Sequence, residues 1–144
     1  MSIISINFRA FVHATEDEEK VLTAMRFASG LDEFERNVVA GHHGNKIIVL
    51  DGMLKDKKAV KAFFRSLSKE DVRDLFDTLD SRLDDDCFLF ARLDKQEAYL
   101  GKLVLTKDDD AIALRSKVQS YPKKRELAFI VAQEFLGKVL QDKN

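Results

Sequence analysis

The sequence predicts a single α+β domain over residues 1–144, with a mixed or antiparallel sheet and helices mainly on one face. Three observations carry this. Period-two alternation opens the chain and recurs over residues 111–121, apolar stripes at helical spacing lie between and after these runs, and the two kinds of segment do not alternate regularly. A chain of 144 residues can bury one core without disulfides or metals, and its single cysteine, Cys87, excludes an internal disulfide. Eleven phenylalanines and no tryptophan predict a core filled by flexible aromatics. No apolar run approaches the roughly 18 residues of a membrane helix, and no leader pattern follows Met1, so no membrane contact and a cytoplasmic setting are expected.

Ile4, Ile6, Phe8, Ala10 and Val12 alternate with Ser5, Asn7, Arg9, Phe11 and His13, which predicts a first strand buried on one face. Thr15 and Glu18 have capping-box spacing ahead of the stripe Val21, Leu22, Met25 and Ala28, predicting a helix that ends near Gly30. Residues 34–40 and 46–50 read as a hairpin whose turn, Gly41 to Asn45, has Gly44 and Asn45 available for positive φ. Two short helices follow, with Val60, Phe63, Phe64 and Leu67 on one stripe and Val72, Leu75, Phe76 and Leu79 on the next after Ser68 as N-cap. Residues 87–93, 102–106 and 111–121 are expected as strands, the last stopped by Pro122. In it Ala113, Arg115, Lys117 and Gln119 lie opposite Ile112, Leu114, Ser116 and Val118. A final helix carries Ala128, Val131, Ala132, Phe135, Leu136, Val139 and Leu140 on one stripe and leaves Ile130 outside it.

Net charge is −1, which excludes a uniformly basic nucleic-acid coat. Charge is nonetheless local over a screening length of about 10 Å, and residues 111–125 hold Arg115, Lys117, Lys123, Lys124 and Arg125 with no acid. With helices on one sheet face, the other collects Asn7, Arg9, Phe11, His13, Arg115, Lys117 and Gln119. Such a mixture suits single-stranded RNA, because cations meet phosphates while rings stack on splayed bases. An ordinary solvated sheet face is the plainer alternative. Arg92 interrupts the apolar run Phe88 to Ala91, where a charge needs water or a partner. The turn His42, His43, Gly44, Asn45, Lys46 offers imidazoles, an amide and an ammonium to phosphate or ribose, and Arg92, Lys95, Gln96 and Tyr99 form a second dense stretch. Adjacent histidines rarely converge on one ion, and no thiol or carboxylate stands at a supporting spacing to His13, His42 and His43, so no metal is expected. The triplets Asp84 to Asp86 and Asp108 to Asp110 precede strands, where aspartates favour turns over two-metal catalysis. Cys87 reads as a buried structural thiol.

Four blocks, Phe11-Val12-His13-Ala14-Thr15-Glu16-Asp17 leading into Lys20-Val21, Gly41-His42-His43-Gly44-Asn45, the segment Arg92 to Gly101, and Val118-Gln119-Ser120-Tyr121-Pro122, together resemble one archaeal family across nearly the whole chain. That family is described as predicted RNA-binding proteins or predicted exosome subunits. The resemblance implies an α+β fold similar to the ribosomal protein that binds 5S ribosomal RNA, in a small archaeal cytoplasmic protein, and supplies no catalytic residues to carry over. The expected function is a non-catalytic RNA-binding protein without a cofactor, accessory to exosome-type RNA processing or degradation. Its expected partners are RNA and subunits of an RNA-processing complex. The residues expected to carry it are Arg9, His13, His42, His43, Asn45, Lys46, Arg92, Lys95, Gln96, Tyr99, Arg115 and Lys117, with His13 and Tyr99 stacking on bases. Two other classes stay open: a protein-interaction subunit using Ile130 and the edge strands, and a metal-dependent hydrolase using the histidines or the aspartate triplets.

Overall fold

The computed structural model describes residues 1–143, the side chain of His42 excepted. In chain order the elements are β1 (Ile3–Val12), α1 (Glu18–Ser29), β2 (Glu35–Ala40), β3 (Lys46–Leu54), α2 (Lys57–Ser66), α3 (Lys69–Asp77), α4 (Leu79–Arg82), β4 (Phe88–Leu93), α5 (Lys95–Tyr99), β5 (Ile112–Val118) and α6 (Arg125–Asp142). The sheet order is β2-β3-β1-β5-β4, and each neighbouring pair is antiparallel.

Alternation along the central strands decides which face is covered. Ile6, Phe8, Ala10 and Val12 of β1 and Ile112, Leu114, Ser116 and Val118 of β5 are buried, and α1, α2 and α6 pack against β1 on that side. Phe8 meets Phe63 edge-on with ring centres 5.5 Å apart, Phe63 meets Phe64 at 5.4 Å, and Phe64 meets Phe135 at 5.3 Å. This run of rings ties the sheet to α2 and α6, each pair adding roughly 0.5–1.5 kcal/mol beyond its burial.

Several local expectations need correction. The cap of α1 is Asp17, whose carboxylate accepts from the Glu19 N–H at 2.9 Å, and not Thr15. Glu16 turns back to accept from the His13 N–H at 3.0 Å, tightening the loop before the helix can start. In β1 the register against β5 shifts between Ile3 and Ser5, so Ile3 is 1% exposed and Ile4 goes to the open side. One extra residue in a strand inverts the alternation beyond it. Residues 102–106 are no strand: the Leu105 N–H donates to the Asp71 carboxylate of α3 at 3.0 Å, and only one isolated bridge joins Leu105 to Leu93.

The hairpin forms as predicted, but positive φ falls on His43 (61°) and Gly44 (76°) instead of on Gly44 and Asn45. The Asn45 carbonyl accepts from the Gly41 N–H at 2.6 Å and closes the turn. Strand β3 also runs on to Leu54, through a glycine that depresses strand propensity. Gly52 is required there because it pairs with Phe8 beneath Phe34, whose ring would lie 2.6 Å from an added Cβ.

Candidate nucleic-acid interface

Cross-strand register places the open-face side chains in rows. Met53, Asn7, Arg115 and Phe90 form one row across β3, β1, β5 and β4; Ser5, Lys117 and Phe88 form the next. A third row holds Glu35, Asp51, Arg9, Ala113 and Arg92. Arg9, Arg115 and Lys117 thus share the face that the sequence alternation assigned to them. Met53 and Phe90 stay 48% and 43% exposed, large apolar side chains left open on the sheet's uncovered face.

At the end of the sheet where β1 begins, these rows border a groove of about 600 Å³. Its floor is Ile4, Met53 and Phe88; its cations are Arg9, Lys55, Lys57, Arg115 and Lys117; and Ser5 and Asn7 complete the lining. No acid lines it. The neighbouring Asp51 carboxylate accepts from Arg9 Nε at 2.7 Å and from Asn7 Nδ2 at 3.4 Å, which orients the guanidinium at the groove's edge. Arg115 Cζ sits 3.9 Å from the Phe88 ring centre, a cation–π contact that holds a second guanidinium over the floor. Among the described residues, the ammonium groups of Lys55, Lys57 and Lys117 meet no carboxylate within ion-pair distance.

The other expected residues lie elsewhere. Lys95, at the start of α5, directs its ammonium inward to the Phe11 carbonyl at 2.7 Å, both Glu16 carboxylate oxygens at 3.0 Å and Asp110 at 2.8 Å. Its side chain is 11% exposed, so this charge is engaged within the fold. His13 Nε2 lies 3.3 Å from the same Asp110 oxygen. Burial pushes the Asp110 carboxyl up, but Lys95 and then His13 outweigh it and hold the group below its ordinary value.

Folding brings Asp110, 97 positions away in sequence, beside His13 and the nearby Glu16. Ligand atoms of His13, Glu16 and Asp110 lie within 4.8 Å of one another, a set that could hold a metal ion, and the Lys95 ammonium stands in the cation's place. Gln96 and Tyr99 line a separate cleft of about 320 Å³ with Lys20, whose ammonium is 5.7 Å from the Tyr99 ring centre. Arg92 is on the open face but donates to the Lys107 carbonyl and to Asp109, both at 3.3 Å. His43, Asn45 and Lys46 are exposed in the β2–β3 turn, and the side chain of His42 lies outside the described residues. By register this turn projects past the end of β1 opposite to the groove.

The aspartate triplets serve turns and ion pairs. Asp84 accepts from the N–H groups of Asp86 and Phe88 at 3.0 and 2.8 Å, ahead of a buried Cys87 at φ 68°. Asp109 and Asp110 answer Arg92 and Lys95.

The sequence profile of a family described as RNA binding matches residues 5–118. The chain belongs to this RNA-binding family. Every groove residue except Ile4 falls within the matched span, whereas α6 lies outside it. A relative named RNA-binding protein PAB1135, from Pyrococcus abyssi, is 35% identical over 142 residues, covering 92% of each chain. An uncharacterised protein from Methanocaldococcus jannaschii is 39% identical over 119 residues, 75% of this chain and 79% of that one. Among solved structures, a DUF54 protein from Methanothermobacter thermautotrophicus superposes with a TM-score of 0.79 at 37% identity, covering 94% of this chain and 99% of that one. These matches agree with the archaeal family resemblance and with the α+β fold. No helix among the described residues is long and apolar enough to cross a membrane.

Ile4, Met53, Lys55, Lys57 and Phe88 are the groove residues that sequence reasoning missed. Phe88 has the one readable signal, since it stands two residues from Phe90 and four from Arg92 and so shares their face. Ile4 depends on the bulge, while Met53 and Lys55 depend on β3 continuing past Gly52.

Proposed function

We propose that this protein binds RNA on the open face of its sheet, with Arg9, Lys55, Lys57, Arg115 and Lys117 meeting phosphates. One observation carries the reading: five cations, of which Arg9 is tethered by Asp51, converge on an apolar-floored groove that no acid among the described residues lines, in a chain of net charge −1. Such segregation concentrates positive potential where a polyanion can use it. Membership of a family described as RNA binding supports the same reading. Among the described residues the groove offers no carboxylate, imidazole or thiol for proton transfer or metal ligation, which favours a holding role over a catalytic one. An accessory to RNA processing or degradation fits that role. An RNA reaching from the groove to His13 and the hairpin turn would cross roughly 25 Å, about eight residues of β1.

Fluorescence anisotropy with labelled RNA over a salt series tests this. The double variant K55A/K117A should weaken binding at low salt and reduce the log–log salt slope by roughly 0.7–0.9 for each phosphate no longer neutralised. A wild-type slope in that variant would move the interface elsewhere. A protein-docking subunit is the second reading, favoured by edge strand β2, all six of whose residues are exposed, Val38 and Val39 included. Absence of RNA binding at about 50 mM salt, with co-purification of a protein partner that V38D abolishes, would put that reading first.

A further inference from the structure

Resting on the RNA reading of the open face, we infer that the groove takes an unpaired nucleobase and so selects single-stranded over double-stranded RNA, with the Arg115–Phe88 pair as the stacking platform. Phosphate binding alone does not explain the floor. Lysines on a flat polar surface would neutralise a backbone equally well, yet here Ile4, Met53 and Phe88 form an apolar bed within the ring of cations. Its volume of about 600 Å³ lies inside the range of roughly 300–1,000 Å³ typical of ligand pockets.

Duplex RNA cannot fill that bed with matching chemistry. Its bases are stacked inside the helix, and its accessible surface is phosphate and 2′-hydroxyl, which would lose water against Met53 and Ile4 without gaining hydrogen bonds. A splayed base does the opposite, burying a π-face and presenting its polar edge to the groove wall. Arg115 is exposed and already held over Phe88 at 3.9 Å. The guanidinium is therefore ordered before binding, and its outer side remains available for a base to stack on.

Groups at the rim match the rest of a nucleotide. Asn7 keeps its amide oxygen and one N–H beyond its long bond to Asp51, and Ser5 adds a hydroxyl beside it. Lys117 pairs across the ladder with both Ser5 and Phe88, which puts an ammonium next to the platform for the adjoining phosphate. Tyr99 and His13, the rings that sequence order suggested for stacking, lie in the cleft of α5 and at the far end of β1.

The test compares a fluorescein-labelled oligouridylate, the same length of blunt RNA duplex, and an abasic single strand, against wild type, F88L, M53A and K117A. F88L removes the ring beneath Arg115 while retaining most of the buried volume, and M53A alters an exposed floor residue should F88L melt early. For the single strand, F88L and M53A should each lose roughly 5- to 100-fold in affinity with the salt slope unchanged. Their affinity for the duplex and the abasic strand should stay within about twofold of wild type. Equal wild-type affinity for single strand and duplex, with F88L and M53A silent and K117A still weakening both, overturns the base pocket and leaves the RNA reading standing. If wild type binds none of the three probes, the RNA reading itself fails and this inference with it.

Discussion

Replacing Lys95 by methionine separates the two basic regions that the sequence joins. Methionine keeps most of the buried stem and removes the charge. In the wild type the ammonium makes contacts of 2.7, 2.8, 3.0 and 3.0 Å to the Phe11 carbonyl, Asp110 and Glu16. Hydrogen bonds to charged groups contribute roughly 1.5–3 kcal/mol each when buried. Glu16 and Asp110 are 29% and 53% exposed, however, so water recovers part of the loss. A net cost of about 2–3 kcal/mol is expected, or a Tm lower by roughly 5–10 °C in a chain of this size. Differential scanning calorimetry measures it. Because the Asp110 carboxyl is held below its ordinary value, its contribution is fully present above that ordinary value and disappears as pH falls through the lowered one. K95M should therefore flatten the acid limb of the stability profile. The variant also leaves His13, Glu16 and Asp110 without their resident cation, so added zinc should raise its Tm and leave the wild-type Tm unchanged. A variant that melts with the wild type, or zinc that stabilises both equally, would refute this account of Lys95. RNA affinity and salt slope should not respond to K95M, in contrast to K117A.

Gly44→Val should destabilise the fold by roughly 1–2 kcal/mol through backbone strain alone, since φ is +76° and no atom lies within 4 Å of an added Cβ; a urea midpoint equal to wild type would contradict that geometry. Gly52→Ala acts by the other route, forcing the Phe34 ring from 2.6 Å, and should cost about 1–3 kcal/mol on the same urea curve. Arg36 and Glu18 make a two-point contact at 2.9 and 3.0 Å that holds the Glu18 carboxyl below its ordinary value. Arg36→Ala should return that carboxyl to the usual range in an NMR titration while barely moving Tm, because exposed pairs contribute little.

Local periodicity determined the parts of this protein that depend on neighbours in sequence. The alternation of β5, the stripes of α2, α3 and α6, the Ser68 cap and the hairpin were all legible, because strands and helices sort apolar residues at fixed spacings. The presence of Arg9, Arg115 and Lys117 on one open face followed from the same rule. Tertiary structure decided which of the charged residues are left for a partner. Lys95 and Arg92 belonged, by composition, with Arg115; yet Asp110, Glu16 and Asp109 reach Lys95 and Arg92 from other elements and engage them. Lys55 and Lys57 carried no signal in sequence, and the continuation of β3 to Leu54 followed directly by α2 brought them to the groove that Lys117 lines. A bulge of one residue moved Ile4 from the core to the groove floor. Spacing fixes the face on which a side chain stands, whereas long-range ion pairs and register, set only when the chain closes on itself, fix whether its charge remains available.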